Sequence, residues 1–318
     1  MANRHITVGI LGKNSEWILR YSAKSIRAAL GYLRERGDIS IEVLYVDGGS
    51  RDRSVDVVRE AFGNAVRVVD ASGTNIPEAR NVVVKESSGD YIVFWDSDTL
   101  APRYILANLL DVGKPIVAPN RLDVYVEGDA EIEALLRKVD SVEKPPSARE
   151  VPFVVFSVTL FKREVFERVG LFDERMTQAE DRDFGIRARC RGYRSYIIED
   201  VVYDVNRRIK SDVPIATPLG QYMRGIFKKA AIYAYTPSPR QRRNTAFFGA
   251  LHIAAAASFF TTPLFSLGEV LPLLYMVYRY GPIKGGEMWL KSLVLYTLMA
   301  LMTPYVRLRN ICRVLEEL

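Results

Sequence analysis

Two cysteines and two histidines are all that the 318 residues hold. Cys190 and Cys312 give no disulfide framework and no zinc-type ligand spacing, and their scarcity points to a reducing compartment. With only His5 and His252 present, a histidine-driven mechanism is disfavoured. No basic run with interleaved aromatics falls on a recognisable reading element, so nucleic acid is not the expected partner. The N-terminus "MANRHITVGI" lacks the apolar core and small-residue cleavage site of a signal peptide, which predicts a cytoplasmic soluble portion. No internal repeat or low-complexity tract interrupts the chain.

What is present is ordinary in bulk and uneven in distribution. An apolar content of 48% with 26% charged residues suits a globular protein, either one large domain or a domain with an appendage. Charges crowd the first two-thirds, whereas the stretch from Ala246 onward is mostly apolar. The formal net charge of +6 favours anionic partners such as phosphates or a lipid surface.

Along the first hundred residues, short apolar runs alternate with helical periodicity. "ITVGIL", "IEVLYVD", "AVRVVD" and "DYIVFWD" read as strands. Between them, Ile26, Ala29, Leu30 and Leu33 recur at helical spacing with Gly37 as a stop. Asp52 is placed to cap "RSVDVVREAF", and Pro77 sits where a first-turn proline is tolerated. This alternation predicts crossover units and a parallel sheet, in which ligands sit beyond the carboxyl ends of the strands. Asp47, Gly48, Asp96 and Asp98 all fall at such ends. Further on, "KPIVAP", "RLDVYV", "FVVFSVTLF" and "RSYIIED" read as strands and "SVEKPPSARE" as a loop. "AEDRDFGIRARCRGY" opens on acids and continues as a helix.

The last third changes character. "GQYMRGIFKKAAIYAY" mixes apolar and basic residues as an interfacial helix would. "AFFGALHIAAAASFFTTPLF" is about long enough to cross a bilayer, "EVLPLLYMVY" is short, and "WLKSLVLYTLMALMTPYV" is intermediate. "RQRRN", "YRYGPIK" and "VRLRN" place basic residues on every flank, which suggests cytoplasmic ends. Ala246 to Tyr280 then forms a hairpin broken near Pro263, or a re-entrant pair. The alternative is an all-helical core. The expected organisation is a catalytic domain over 1–211, a basic helical linker over 212–245 and membrane-associated helices over 246–318.

Asp-x-Asp is a weak signal, and Asp181-Arg182-Asp183 repeats it. Asp96 and Asp98 gain weight from their place at the end of an apolar strand. Such a pair either ends the strand in a turn or holds a divalent cation that bridges phosphate oxygens.

Four motifs come in order: "VGILGKNSEWILRYSAKSI", "YVDGGSRDRS", "EARNVVVKESSGDYIVFWDSDT" and "VGLFDERMTQAEDRDFGIRARCRGYR". Over about Ile6 to Asp204 they resemble glycosyltransferase family 2, inverting enzymes with the GT-A fold. The resemblance implies a mixed, mostly parallel Rossmann-like sheet with flanking helices, to which the C-terminal hydrophobic helices are added. It implies that Leu11, Gly12, Asn14, Glu16 and Asp47 hold the nucleotide, with Arg80 and Asn81 near base and phosphates. Asp96 would face the ribose and metal side with Ser97 as the turn, and Asp98 would be the chief ligand of Mn2+ or Mg2+. Asp181, with Glu180 second, matches the family's base, which takes the acceptor hydroxyl's proton. Acids there also stabilise a helix dipole with no catalytic part, the role expected of Asp183.

Three departures stand out. Leu11 and Lys13 replace the proline and tyrosine of the family's opening motif. Gly48 stands where a second aspartate commonly follows the first. A metal-side histidine is missing, with Tyr203 or Asp204 in its place; Asp204 is the substitute metal ligand this suggests. Arg207, Arg208 and Lys210 are candidate contacts for the diphosphate or a lipid phosphate. The expected enzyme moves a sugar from a nucleoside-diphosphate sugar to a polyprenyl phosphate or lipid-linked glycan at the cytoplasmic membrane face. A nucleotidyltransferase, for which "LGKNSE" is a poor loop, and a non-catalytic nucleotide-binding scaffold are the alternatives.

Overall fold

The computed structural model describes residues 4–37, 39–139, 146–207, 219–236, 239–249, 253, 270–280 and 282–318. They fall into two compact units. One comprises Met1–Glu174 with Glu180–Ile209, the other Arg175–Ala179 with Lys210–Leu318.

The first unit begins with β1 (Arg4–Gly12), α1 (Glu16–Glu35), β2 (Ile39–Asp47), α2 (Ser54–Phe62), β3 (Val66–Asp70), α3 (Ile76–Glu86) and β4 (Tyr91–Asp96). β1 pairs in parallel with both β2 and β4, and β2 with β3. This is the crossover alternation that the sequence predicts. Ile6, Val8 and Ile10 are fully buried, as befits a strand covered on both faces. Helix α3 starts on a complete capping box: Asn75 accepts from the Glu78 amide, Glu78 accepts from the Asn75 amide, and Pro77 fills the first turn. Asp52 does not itself cap α2. Its carboxylate accepts from the Ser54 amide and hydroxyl and from the Glu16 amide, tying the start of α1 to the start of α2.

The remainder of the unit is β5 (Thr99–Leu100), α4 (Ile105–Asp111), β6 (Ile116–Val126), α5 (Asp129–Val139), β7 (Ala148–Val151), β8 (Val158–Lys162), α6 (Arg163–Val169), α7 (Glu180–Cys190) and β9 (Ser195–Arg207). Here pairing turns mixed: β8 runs antiparallel to β4 and β6, β9 parallel to β6, and β5 and β7 antiparallel to β9. The strand order is β3-β2-β1-β4-β8-β6-β9-β5. "KPIVAP" and "RLDVYV" are one strand with a register shift between Ala118 and Asn120. "FVVFSVTLF" is strand only from Val158; its aromatics instead feed a cluster in which Phe94, Phe156, Phe161, Phe166, Phe172 and Phe184 pack ring on ring.

In the second unit, the segment expected to lie at an interface breaks at Gly225 (φ 62) into helices Leu219–Met223 and Ile226–Tyr235. Lys228 and Lys229 are buried there. Ile226 and Ala230 cluster with Leu295 and Met299 of the helix Pro282–Leu308, so packing within the unit claims the face that would lie on lipid. The helix Val270–Tyr280 covers the short apolar segment. Within Pro282–Leu308, the stretch Ile283–Leu308 is long and apolar enough to cross a membrane, and only 17% of its apolar window is buried. Most of 246–269, including Pro263, lies outside the described residues, as do 140–145 of the polar loop. Neither Cys190 nor Cys312 is a free thiol, contrary to the expectation that two cysteines give no disulfide.

Candidate active site

The register of the parallel strands sets Leu11 beside Asp96 and Gly12 beside Asp47, so three strand ends share one rim. A cavity of about 330 Å³ opens there. Its walls include Leu11, Gly12, Arg80, Asp96, Ser97, Asp98 and Asp204, seven of the residues picked out in the sequence. Thr74, Asn75 and Ile76, at the start of α3, complete it. Ile76 is 55% exposed, a large apolar side chain on the surface at the start of that helix.

The turn after β4 is held from several directions. The Ser97 amide donates to the Leu11 carbonyl, the Ser15 and Ser97 hydroxyls meet at 2.7 Å, and the Ser22 hydroxyl donates to the Ser97 carbonyl. On the far side the Val205 amide donates to the Asp98 carbonyl, and Thr99 pairs with Asp204. Backbone contacts thus fix Asp96, Asp98 and Asp204 together while their carboxylates repel one another. Burial, with Asp204 and Asp96 close by, pushes the Asp98 carboxyl up to about 8. Burial raises Asp96 to about 6, with Arg80 opposing the shift, and burial raises Asp204 as well.

Arg121 on β6 gives Asp204 a partner, Nη1 to Oδ2 at 3.0 Å. It is a residue that sequence reasoning missed, and an isolated arginine in an apolar strand offers no signal. Among the described residues, no three acidic, histidine or cysteine side chains are gathered so as to hold a metal ion alone. Asp96 and Asp98 still suit a cation. Magnesium-type sites commonly take one or two carboxylates and fill the remaining positions with substrate phosphates and water. Burial, with neighbouring acids adding to it, raises both carboxyls, and a bound cation would supply further counter-charge beyond Arg80 and Arg121.

Arg80 is 4% exposed and lies between two acids. Its Nη1 donates to Glu180 Oε1 at 2.5 Å, its Nη2 is 3.9 Å from Asp96 Oδ1, and its guanidinium stacks over Phe156. Glu180 is therefore held in an ion pair at the start of α7. Its neighbour Asp181 accepts only from the Arg182 amide among the hydrogen bonds described. Burial and the adjacent Glu180 push Asp181 up to about 6. Asp183 is fully buried and bonds Arg187 one turn on.

The other sequence-picked residues are engaged in holding loops. Asn14, at φ 50, accepts from the Arg51 amide, and Glu16 accepts from the Arg53 amide. Asp47 accepts from the Ser50 amide and hydroxyl. Asn81 is buried and exchanges bonds with the Phe172 backbone, anchoring the loop before α7. Arg207 stacks over Trp17, while Arg208 and Lys210 lie outside the described residues. At Gly48, a Cβ would come within 3.3 Å of Lys13, which leaves little room for the aspartate expected at that position.

Comparison with known proteins agrees with this architecture. A structure of GalNAc-T7 with UDP, GalNAc and Mn2+ matches at a TM-score of 0.54 and 14% identity, over 74% of this chain and 51% of that one. This chain therefore spans about half the length of that relative. The mannosyltransferase PcManGT from Pyrobaculum calidifontis, in complex with GDP-Man and Mn2+, matches at 0.51 and 19% identity, over 96% of this chain and 88% of that one. At these identities the likeness shows the fold. No curated protein matches. Residues 14–170 match the model of Glycosyl transferase family 2, and with the GT-A sheet around them they mark the first unit as a glycosyltransferase domain of family 2.

Proposed function

We propose that this enzyme is an inverting transferase that moves a sugar from a nucleoside-diphosphate sugar to a lipid-borne acceptor, a polyprenyl phosphate or lipid-linked glycan, at the cytoplasmic membrane face. The observation that carries the inverting chemistry is the division of the acid pair. Arg80 claims Glu180, whereas Asp181 keeps a carboxylate raised to about 6, close to the ideal for a base near neutrality. With a glycan hydroxyl as acceptor, the O–H proton passes to Asp181 while the oxygen bonds to the anomeric carbon; a phosphate acceptor is already ionised near neutrality and its oxygen attacks without that proton transfer. The bond from that carbon to the diphosphate oxygen breaks with its electron pair, and configuration inverts.

The cavity at the strand ends takes the donor, with Leu11, Gly12 and Ile76 toward the nucleoside and Asp96 and Asp98 toward the diphosphate. Two structural relatives hold UDP or GDP-Man together with Mn2+, which supports a nucleotide sugar and a divalent cation here. When bound, the cation neutralises charge on the departing diphosphate. Arg121 keeps Asp204 oriented beside that pair, and Arg80 holds Asp96 and Glu180 apart from each other's charge. Support for a lipid acceptor is the membrane-length stretch Ile283–Leu308 with its exposed apolar surface.

The test is a donor screen on purified full-length protein with Mn2+ or Mg2+, reading nucleoside-diphosphate release with and without an extracted lipid fraction. Lipid-stimulated release, lost on Asp181→Asn, is expected. Full sugar transfer by both Asp98→Ala and Asp181→Asn variants would end the mechanism, and release stimulated only by soluble sugars would end the lipid reading.

A further inference from the structure

Beyond the cavity at the strand ends, β6 and β9 run on side by side, with Asp123 beside Asp204 and Tyr125 beside Asn206. Their two faces meet different surroundings. Val124 and Val126 on β6, with Tyr203 and Val205 on β9, pack against Ile18 and Tyr21 of α1 and Ile132 of α5. Side chains alternate along a strand, so Arg121, Asp123 and Tyr125 lie on the opposite face, together with Asp204 and Asn206. Ion pairs follow the same face: Arg121 reaches both Asp204 and Asp123 at 3.0 Å.

Burial falls away along this ledge. Asp204 is 9% exposed and lines the cavity, whereas the Asp123 side chain is 52% exposed. Tyr125, two residues or about 7 Å further along the strand, is 60% exposed. Arg121, Asp123 and Tyr125 stand outside the cavity's lining, so what they meet arrives from solvent. Tyr125 enters no hydrogen bond or ring contact among the described residues. Asp123 gives one carboxylate oxygen to Arg121, and the Asn206 amide nitrogen donates to the Asp204 carbonyl at 3.4 Å.

A flat aromatic face beside an acid and a carboxamide matches a pyranose ring. The ring's C–H groups lie on the aromatic face, and its hydroxyls donate to the carboxylate and carboxamide oxygens. A phosphate would meet an arginine already held by two carboxylates. A hydrocarbon chain would strip water from those carboxylates without replacing it.

We propose that this ledge is an acceptor-sugar subsite, where the sugar ring of a glycan acceptor stacks on Tyr125 with its hydroxyls on Asp123 and Asn206. It rests on the transferase reading and deepens it, selecting the lipid-linked glycan over the bare polyprenyl phosphate. A hydroxyl acceptor is also the kind that calls for a base such as Asp181.

Saturation-transfer NMR on the full-length protein, in a detergent without sugar groups, tests the subsite. The probes are the methyl glycosides of glucose, galactose, mannose and N-acetylglucosamine, with Mn2+ and UDP or GDP present to fill the donor cavity. At least one glycoside is expected to give ring-proton signals that Tyr125→Ala abolishes and Tyr125→Phe keeps, since the ring does the stacking. With a farnesyl diphosphate carrying that sugar as acceptor, Tyr125→Ala should raise the acceptor KM at least about tenfold and leave kcat and the donor KM little changed. Silence from every glycoside, or signals unchanged in a Tyr125→Ala variant that melts like the parent, overturns the subsite. So does a rise confined to the donor KM, which assigns the ledge to the donor's own sugar. A sedimentation change with the glycoside signal intact assigns it to a second copy of the chain and overturns it too. Should Tyr125→Ala fail to fold, a diazirine-bearing glycoside on the parent decides: labelling within 121–125 supports the subsite, and labelling confined elsewhere overturns it. Transfer to farnesyl phosphate without glycoside binding removes the subsite and leaves the transferase reading. Tyr125-dependent glycoside binding without transfer to any acceptor leaves a sugar site and removes that reading.

Discussion

At the scale of single residues, the acid pair opening α7 shows how two neighbouring carboxyls take different parts. Glu180 meets a buried guanidinium, whereas Asp181 is raised by burial and by Glu180 itself. In the proposed mechanism Asp181 is the base and must be ionised to act, so the rate should climb as pH rises through about 6 and flatten above it. Asp181→Asn should cut kcat by about 10²–10⁴-fold and erase that limb, while donor affinity changes little. The measurement is a pH–rate series for parent and variant; a limb that persists in the variant assigns it to another group. In the sequence, "AEDRD" marked the pair but could not rank its members. The partner that ranks them, Arg80, lies 100 positions away and reads locally as a surface charge on a helix.

At the scale of elements, the β1–β4 half was legible because each strand is a short apolar run closed by a turn and each intervening helix has its own period and stop signals. The second half was not, because its order depends on pairing across the chain. β6 and β9 lie side by side in parallel although α5, β7, β8 and two helices separate them in sequence. The expected strand "FVVFSVTLF" shortened because Phe156 packs into the aromatic cluster and against Arg80, a tertiary demand that local pattern cannot express. The end of β1 is a further case. A Cβ on Gly12 would stand 2.6 Å from the buried Tyr45 hydroxyl of β2, so the glycine leaves room for that ring at the strand ends. Gly12→Ala should cost about 1–3 kcal/mol as overpacking does, measured by denaturant melting. Adding Tyr45→Phe should return part of that loss by removing the clashing oxygen. No recovery in the double variant would place the strain elsewhere.

At the scale of the whole molecule, the rim at the strand ends concentrates acids whose ionisation folding opposes. Asp96 and Asp181 are raised to about 6 and Asp98 to about 8, so the folded chain holds protons that the unfolded chain has released near pH 4. The sign follows from proton counts. Where the folded state binds more protons, stability falls as pH rises, here from about pH 4 through 6 and on toward 8. Stability is thus highest on the acidic side of that window and is progressively given up as the carboxylates reach the form that the proposed mechanism uses. A ligand that binds only the folded, ionised state restores it by mass action. The melting temperature without ligands should therefore fall between pH 5 and 8, and Mn2+ with a matching nucleoside diphosphate should raise it most at pH 8. Asp98→Asn removes one charge without removing the side chain's bulk. It should melt higher than the parent at pH 8, flatten the pH dependence, and lose both sugar transfer and the stabilisation by Mn2+. A variant that melts lower than the parent at pH 8 would show that the Asp98 carboxylate contributes to stability there, and the crowding of acids at the rim would then have to be balanced by contacts beyond Arg80 and Arg121.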